Sequence, residues 1–154
     1  MTDEELIGLT IDEANLAPKH GDVPVGAVIV YKNKVIASAH NQREKNIDPT
    51  GHAEIIAIRD AAKKIGSWYL NECTLAVTLE PCSMCAGAVI SSRIKRLVFG
   101  AYDNKSGACG SLYNLCNDSR LNHQVEVAGG IMAEECGKLL KNFFADLRNK
   151  NRKR

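Results

Sequence analysis

Aromatic side chains are scarce in this chain: one Trp, four Tyr and three Phe stand among 154 residues. A sheet face paved with aromatics for stacking many bases is therefore not expected. Long apolar runs are missing as well. No stretch approaches the roughly 20 residues that cross a bilayer. The opening Met1-Thr2-Asp3-Glu4-Glu5 is acidic and has no apolar signal core. The expectation is a cytoplasmic protein with no membrane partner. Internal repeats and low-complexity segments are absent too, and 154 residues suit a single domain, 1–154, able to bury about two thirds of its unfolded surface.

Histidine is also sparse, with four in the chain, and the place of one of them carries the most information. His52 and Glu54 lie in Gly51-His52-Ala53-Glu54, and downstream follows Glu80-Pro81-Cys82-Ser83-Met84-Cys85. His52, Cys82 and Cys85 supply three zinc ligands. A structural zinc site closes its tetrahedron with four protein ligands, whereas three leave a position for water and mark a catalytic site. Zinc lowers the pKa of its water to about 7, and Glu54 is left free to carry a proton from that water to a substrate nitrogen. The two pieces in this order form the signature of zinc deaminases, and hydrolytic deamination is the expected chemistry. Either piece alone has an ordinary reading, as a redox pair, half a structural site or a chance His-x-Glu.

The spacing also predicts local structure. Cys82 and Cys85 share a helix face, and Pro81 is expected in the first helical turn, with both thiols near the positive end of the helix dipole and favoured as thiolates. His52 and Glu54 are expected where the chain turns into a second helix. Around them the periodicity predicts a helix near 3–18, strands over 25–30 and 34–40 joined by Lys32-Asn33, and a helix from His52 with Ile55, Ile58, Ala62 and Ile65 on its apolar face, stopped by Gly66. A strand carrying Leu75, Val77 and Leu79 leads into the cysteines. A strand over 96–101, a weaker one over 124–128 and a closing helix with Met132, Cys136, Leu139, Phe143 and Leu147 complete a layered α/β domain with helices on both faces of the sheet.

Beyond the motif, the run Asp48 to Ile55, the run Val77 to Ala88, Ser92-Arg93-Ile94, Val98 to Ala101, Val23 to Val28, Gly110-Ser111-Leu112, Asn122-His123 and Phe143-Phe144 are similar to the bacterial tRNA-specific adenosine deaminases over nearly the whole chain. The resemblance implies a three-layer α/β/α cytidine deaminase-like fold with a five-stranded mixed sheet, one Zn2+ per subunit and no organic cofactor. It implies conversion of the wobble adenosine of a tRNA anticodon stem-loop, in arginine tRNA, to inosine, with zinc hydroxide attacking carbon six of adenine and Glu54 shuttling the proton. It further implies that Asn41 holds the nucleoside, that the backbone near Ala53 meets the base edge, that Val23 packs on the base, and that one of Phe143 and Phe144 borders the anticodon groove while the other is core. A homodimer is implied as well. Read without the resemblance, Asn41 is a turn residue and Val23 is core. Gly51 departs from the alanine usual in the family and is expected to loosen the loop before the zinc histidine.

Charge is unevenly placed. The formal total is +2, but the segment from Lys138 to Arg154 carries about +6 and the rest about −4. Arg148, Lys150, Arg152, Lys153 and Arg154 form a basic tail from about 148 that is either a phosphate-contacting element or a solubilising end; Lys105, Arg93, Lys95 and Arg96 are further candidates for RNA contact. Trp68 and Tyr69 are expected in core or interface packing. Cys73, Cys109, Cys116 and Cys136 are expected as buried thiols, and His20, His40 and His123 receive no function. Three alternatives stay open: a guanine or other free-base or nucleoside deaminase, a noncatalytic zinc-containing RNA-binding subunit, and a structural zinc module.

Overall fold

The computed structural model describes residues 1–152, so Lys153 and Arg154 of the basic tail lie outside the described residues. The chain forms, in order, α1 (Asp3–Ala14), a 3-10 turn (Ala17–His20), β1 (Gly26–Tyr31), β2 (Lys34–His40), a single turn α2 (Arg43–Asn46), α3 (Ala53–Ile65), β3 (Cys73–Leu79), α4 (Ser83–Ser91), β4 (Arg96–Ala101), β5 (Glu126–Ala128) and α5 (Ala133–Arg152). The strands make one sheet in the order β2-β1-β3-β4-β5. β1 runs antiparallel to β2 and β3, while β3, β4 and β5 are mutually parallel, so the sheet is mixed as expected.

Side-chain alternation divides the core into two layers. Ala27, Ile29, Leu75, Val77, Leu97 and Phe99 point to one face, against Ala53, Ala57 and Ala61 of α3 and Ala86 and Val89 of α4. Val28, Ala76 and Val98 point to the other, against Leu6 and Ile7 of α1 and Cys136 of α5. Both faces are dry, which explains why β1, β3 and β4 read as nearly continuous apolar runs. The result is the expected three-layer α/β/α architecture.

Several boundaries differ from expectation for local reasons. α1 ends at Ala14 rather than near 18, and a separate 3-10 turn runs to Gly21, whose φ of 85° suits glycine. β5 begins at Glu126 because the Val125 N–H bonds to Cys116 instead of to the sheet. The Lys32-Asn33 link is tight, both residues having positive φ, as a two-residue hairpin requires. On α3 the buried stripe is Ala53, Ala57 and Ala61; Ile55, Ile58, Ala62 and Ile65 are only half-buried beside it, since small side chains let the helix approach the sheet closely. Leu147 of the expected α5 stripe is exposed. Trp68 and Tyr69 are exposed, ring edge against ring, which removes their core reading.

α1 is pressed onto β1 where Gly26 lacks a side chain. A Cβ there would lie 2.1 Å from the Thr10 carbonyl oxygen and 2.5 Å from the Ala14 nitrogen, both rigid helix backbone. Gly26→Ala is expected to cost about 1–3 kcal/mol, lowering the thermal midpoint by roughly 4–10 °C. Gly137→Ala on α5, where a Cβ meets nothing within 4 Å, is expected to raise it slightly. Calorimetry showing no loss for Gly26→Ala would contradict the close seating of α1.

Candidate active site

The N-termini of α3 and α4 meet at one end of the sheet, and the residues that begin each helix form the site. His52 caps α3 in an extended conformation, and Cys82 does the same for α4. Neither side chain bonds to its own helix, as a capping side chain normally would. Both point to a common centre instead. α4 thus starts at Ser83, and Pro81 stands just before the cap rather than in the first turn; its carbonyl accepts the N–H of Ala108 at 2.9 Å and ties a later loop to the site.

His52 Nδ1 lies 3.6 Å from Cys82 Sγ and 3.4 Å from Cys85 Sγ. Donors at zinc bond lengths of 2.0–2.3 Å and tetrahedral angles stand about 3.5 Å apart, so this set fits a divalent ion of that kind. Among the described residues, the group of donors that could hold a metal is these three, with no fourth protein ligand. The neighbouring Cys85 thiol and the His52 ring pull Cys82 down to about 3 against its burial, while the closeness of Cys82 and burial push the Cys85 thiol up. Its contact with Cys82 raises His52 although burial opposes this.

Glu54, in the first turn of α3, is 4% exposed. Its Oε1 is buried with no hydrogen-bond partner, and burial raises its carboxyl above the usual range. A buried carboxylate oxygen left unpaired is costly unless something else occupies its lone pairs. Beside it opens a cavity of about 560 Å3 lined by Val23, Val25, Asn41, Arg43, His52, Glu54, Leu79, Glu80, Cys82, the segment 102–106, Leu140 and Phe144. Asn41 is fixed by accepting the Ala53 N–H at 2.8 Å on Oδ1, which leaves its Nδ2 as a donor.

The structure thus gathers His52, Glu54, Cys82, Asn41, Val23, Lys105 and Phe144 around one cavity, with Cys85 buried behind it in the donor group of His52 and Cys82. Ala53 does not line it: its N–H is taken by Asn41 and its side chain is buried. Phe143 is half-buried and packs edge-on against Phe144 at 5.4 Å, which settles which of the pair reaches the cavity. Arg148, Lys150 and Arg152 are exposed on the last turns of α5 and line no part of it. Gly51 is buried and bonded on both sides, its N–H to Asp48 and its carbonyl from Gln42, so the loop is tight rather than loose.

Three cavity-shaping features had no sequence reading. Arg43 reaches the rim because α2 is clasped by Asp22, whose carboxylate accepts the N–H groups of Glu44 and Lys45 and the ring of His20. Tyr102 is 55% exposed yet packs edge-on against Phe99. Glu80 is 2% exposed at the end of β3. Burial pushes its carboxyl up, but hydrogen bonds from Ser111, Asp103 and Cys109 outweigh this and hold it below the usual range. A lone glutamate between an apolar strand and a proline was the available signal.

Three ligands at two helix starts and a buried spare carboxylate on a mixed five-stranded sheet define a deaminase of the cytidine deaminase-like fold. The family model described as MafB19-like deaminase matches residues 1–148. The tRNA-specific adenosine deaminase of Bacillus subtilis is 49% identical over 99% of this chain and 95% of its own. A solved tRNA deaminase, studied for A-to-I editing at the wobble position, superposes with a TM-score of 0.85 at 38% identity, covering 88% of this chain and 99% of that one. The guanine deaminase of Bacillus subtilis superposes with a TM-score of 0.63 at 36% identity over 66% of each chain. The chain belongs to the tRNA-specific adenosine deaminase family.

With Cys82 near a pKa of about 3, its thiolate dominates at pH 5, where an ordinary thiol is almost wholly protonated. In chelator-stripped protein, iodoacetamide is expected to label Cys82 at a rate flat from pH 5 to 7, ahead of Cys73 and Cys136, whose thiols burial raises. Peptide mapping that finds Cys82 labelling climbing tenfold per pH unit would contradict the lowered value.

Proposed function

We propose that this chain hydrolyses the wobble adenosine of a tRNA anticodon stem-loop, arginine tRNA being the expected substrate, to inosine, using one zinc ion held by His52, Cys82 and Cys85. The observation that carries the reading is the unpartnered buried Oε1 of Glu54 beside a three-donor metal seat that opens into a cavity. Zinc in that seat would supply a water acidic enough to lose its proton near neutral pH. Glu54 is the residue placed to accept that proton on its free oxygen and to return it to a nitrogen of the purine, in a reaction whose balance is water in, ammonia out and an oxygen in place of the amino group at carbon six. Its raised carboxyl pKa suits a group that must hold a proton for part of the cycle. Asn41 offers Nδ2 to the nucleoside, and Val23 and Phe144 give it apolar walls.

A paired or stacked base cannot enter such a cavity, so the adenosine must leave the loop stack. Lys105 at the rim and Arg148, Lys150 and Arg152 on α5 are the cations that meet the phosphates. The whole chain acts as one domain, in the cytoplasm, as a homodimer; exposed Trp68 and Tyr69 provide apolar surface for a second copy.

The test is inosine formation by the zinc-loaded protein on arginine tRNA with an ACG anticodon, beside free adenosine, guanine and cytidine. Inosine in the tRNA is expected. Turnover of guanine alone would shift the assignment to the free-base activity of the 36% identical structural neighbour, and bound zinc without turnover would favour a noncatalytic subunit. Glu54→Ala is expected to keep zinc and fold while losing about 10²- to 10⁴-fold in kcat; near-normal turnover would remove the shuttle role. Replacing Arg148, Lys150 and Arg152 with alanine is expected to flatten the dependence of log affinity on log salt by about 2. An unchanged slope would return the tail to a solubilising element.

A further inference from the structure

Glu80 stands two residues before Cys82, and all four hydrogen bonds to its carboxylate come from a single later loop. Oε1 accepts the Asp103 N–H at 3.0 Å and the Ser111 hydroxyl, while Oε2 accepts the N–H groups of Cys109 at 3.1 Å and Ser111 at 2.9 Å. The loop closes around it so tightly that a Cβ at Gly107 would lie 2.3 Å from the Glu80 carboxyl carbon. With two donors on each oxygen, Glu80 has little capacity left for proton transfer, and it stands outside the metal-binding group. The outer part of the loop, Tyr102 to Ser106, is cavity wall, shared with Asn41, His52 and Glu54. Within that wall Asp103 makes the turn, its Oδ1 accepting the N–H groups of Lys105 and Ser106.

We propose that Glu80 is a positioning residue of this active site, its carboxylate fixing the loop from Tyr102 to Ser111 as the wall against which the substrate nucleoside and its neighbours rest. The inference depends on the reaction assigned above. Glu80 governs how well substrate binds and leaves the metal seat and the proton carrier unchanged.

Glu80→Gln separates this role from general support. The amide oxygen can keep the Cys109 and Ser111 N–H groups, and the new NH2 can donate to the Ser111 hydroxyl, which turns to accept. Only the Asp103 N–H then meets another donor, so the wall loosens at the cavity side. In the zinc-loaded full chain acting on the anticodon stem-loop, Glu80→Gln is expected to raise KM about tenfold with kcat within about threefold of wild type, the mark of lost uniform binding. Zinc content should be unchanged, and amide exchange of segment 102–106 should quicken while α3 is unaffected. An unchanged KM, a fall in kcat alone or a loss of zinc would each overturn the proposal. If Glu80→Gln fails to fold, Ser111→Ala withdraws one side-chain donor and is expected to raise KM about threefold at constant kcat; a wild-type KM there overturns it as well. Wild-type protein run in parallel separates the two readings, because absence of inosine with wild type refutes the assigned reaction, whereas normal wild-type turnover with an unaltered variant refutes the role of Glu80.

Discussion

Two helix N-termini brought side by side on one sheet are the constraint on which the rest of the structure depends. Each helix start carries a positive dipole end, which favours the Cys82 thiolate and whatever negative charge develops on a substrate, while burial holds the Glu54 carboxyl up. Bringing α3 that close requires a face of alanines, Ala53, Ala57 and Ala61, because larger residues would lift the helix from β1 and β2. The same closeness places His52 and Cys82 at cap positions with their side chains free. The helices give up a capping bond apiece and the site gains two free donor atoms.

Layered over this is a second ring of groups that hold the holders. Asn41 secures the first N–H of α3, Asp22 clasps the turn that carries Arg43, and Glu80 gathers the loop from Asp103 to Ser111. All three are buried side chains bonded mainly to backbone N–H groups. Catalytic geometry is kept in this way by short polar residues at segment ends, where the repeating hydrogen bonds of strand and helix have run out.

Much of this architecture was legible because it is written in periodicity and spacing. The limits of β2 and β4 follow from apolar runs bounded by turn residues, and the His-x-Glu and Pro-Cys-x-x-Cys pieces point to donors that the fold does bring within reach of one ion. What was not legible is set by tertiary contact. The position of Pro81 outside α4 depends on Ala108, far along the chain. The inward face of α3 could not be read from hydrophobicity, which ranks isoleucine above alanine, whereas close helix-to-sheet packing reverses that order. Phe143 and Phe144 differ only by a rotation about α5 that residues elsewhere determine. The fixing of Ala53 by Asn41 is likewise a contact between segments, invisible in either one.

The division of the three donors between two helices also bears on how such a chain would take up a metal. His52 rides on α3 and the cysteines on α4, and the strands beneath set one helix relative to the other. Unlike a small zinc module, which is unfolded until the ion arrives, this chain has two cores of its own to organise it. An ion of the proposed kind would therefore enter donors already set in place rather than direct their assembly. Under the proposed zinc chemistry, a chain built this way would stay folded without the metal, and recovery of activity would turn on delivery of the ion and not on new synthesis.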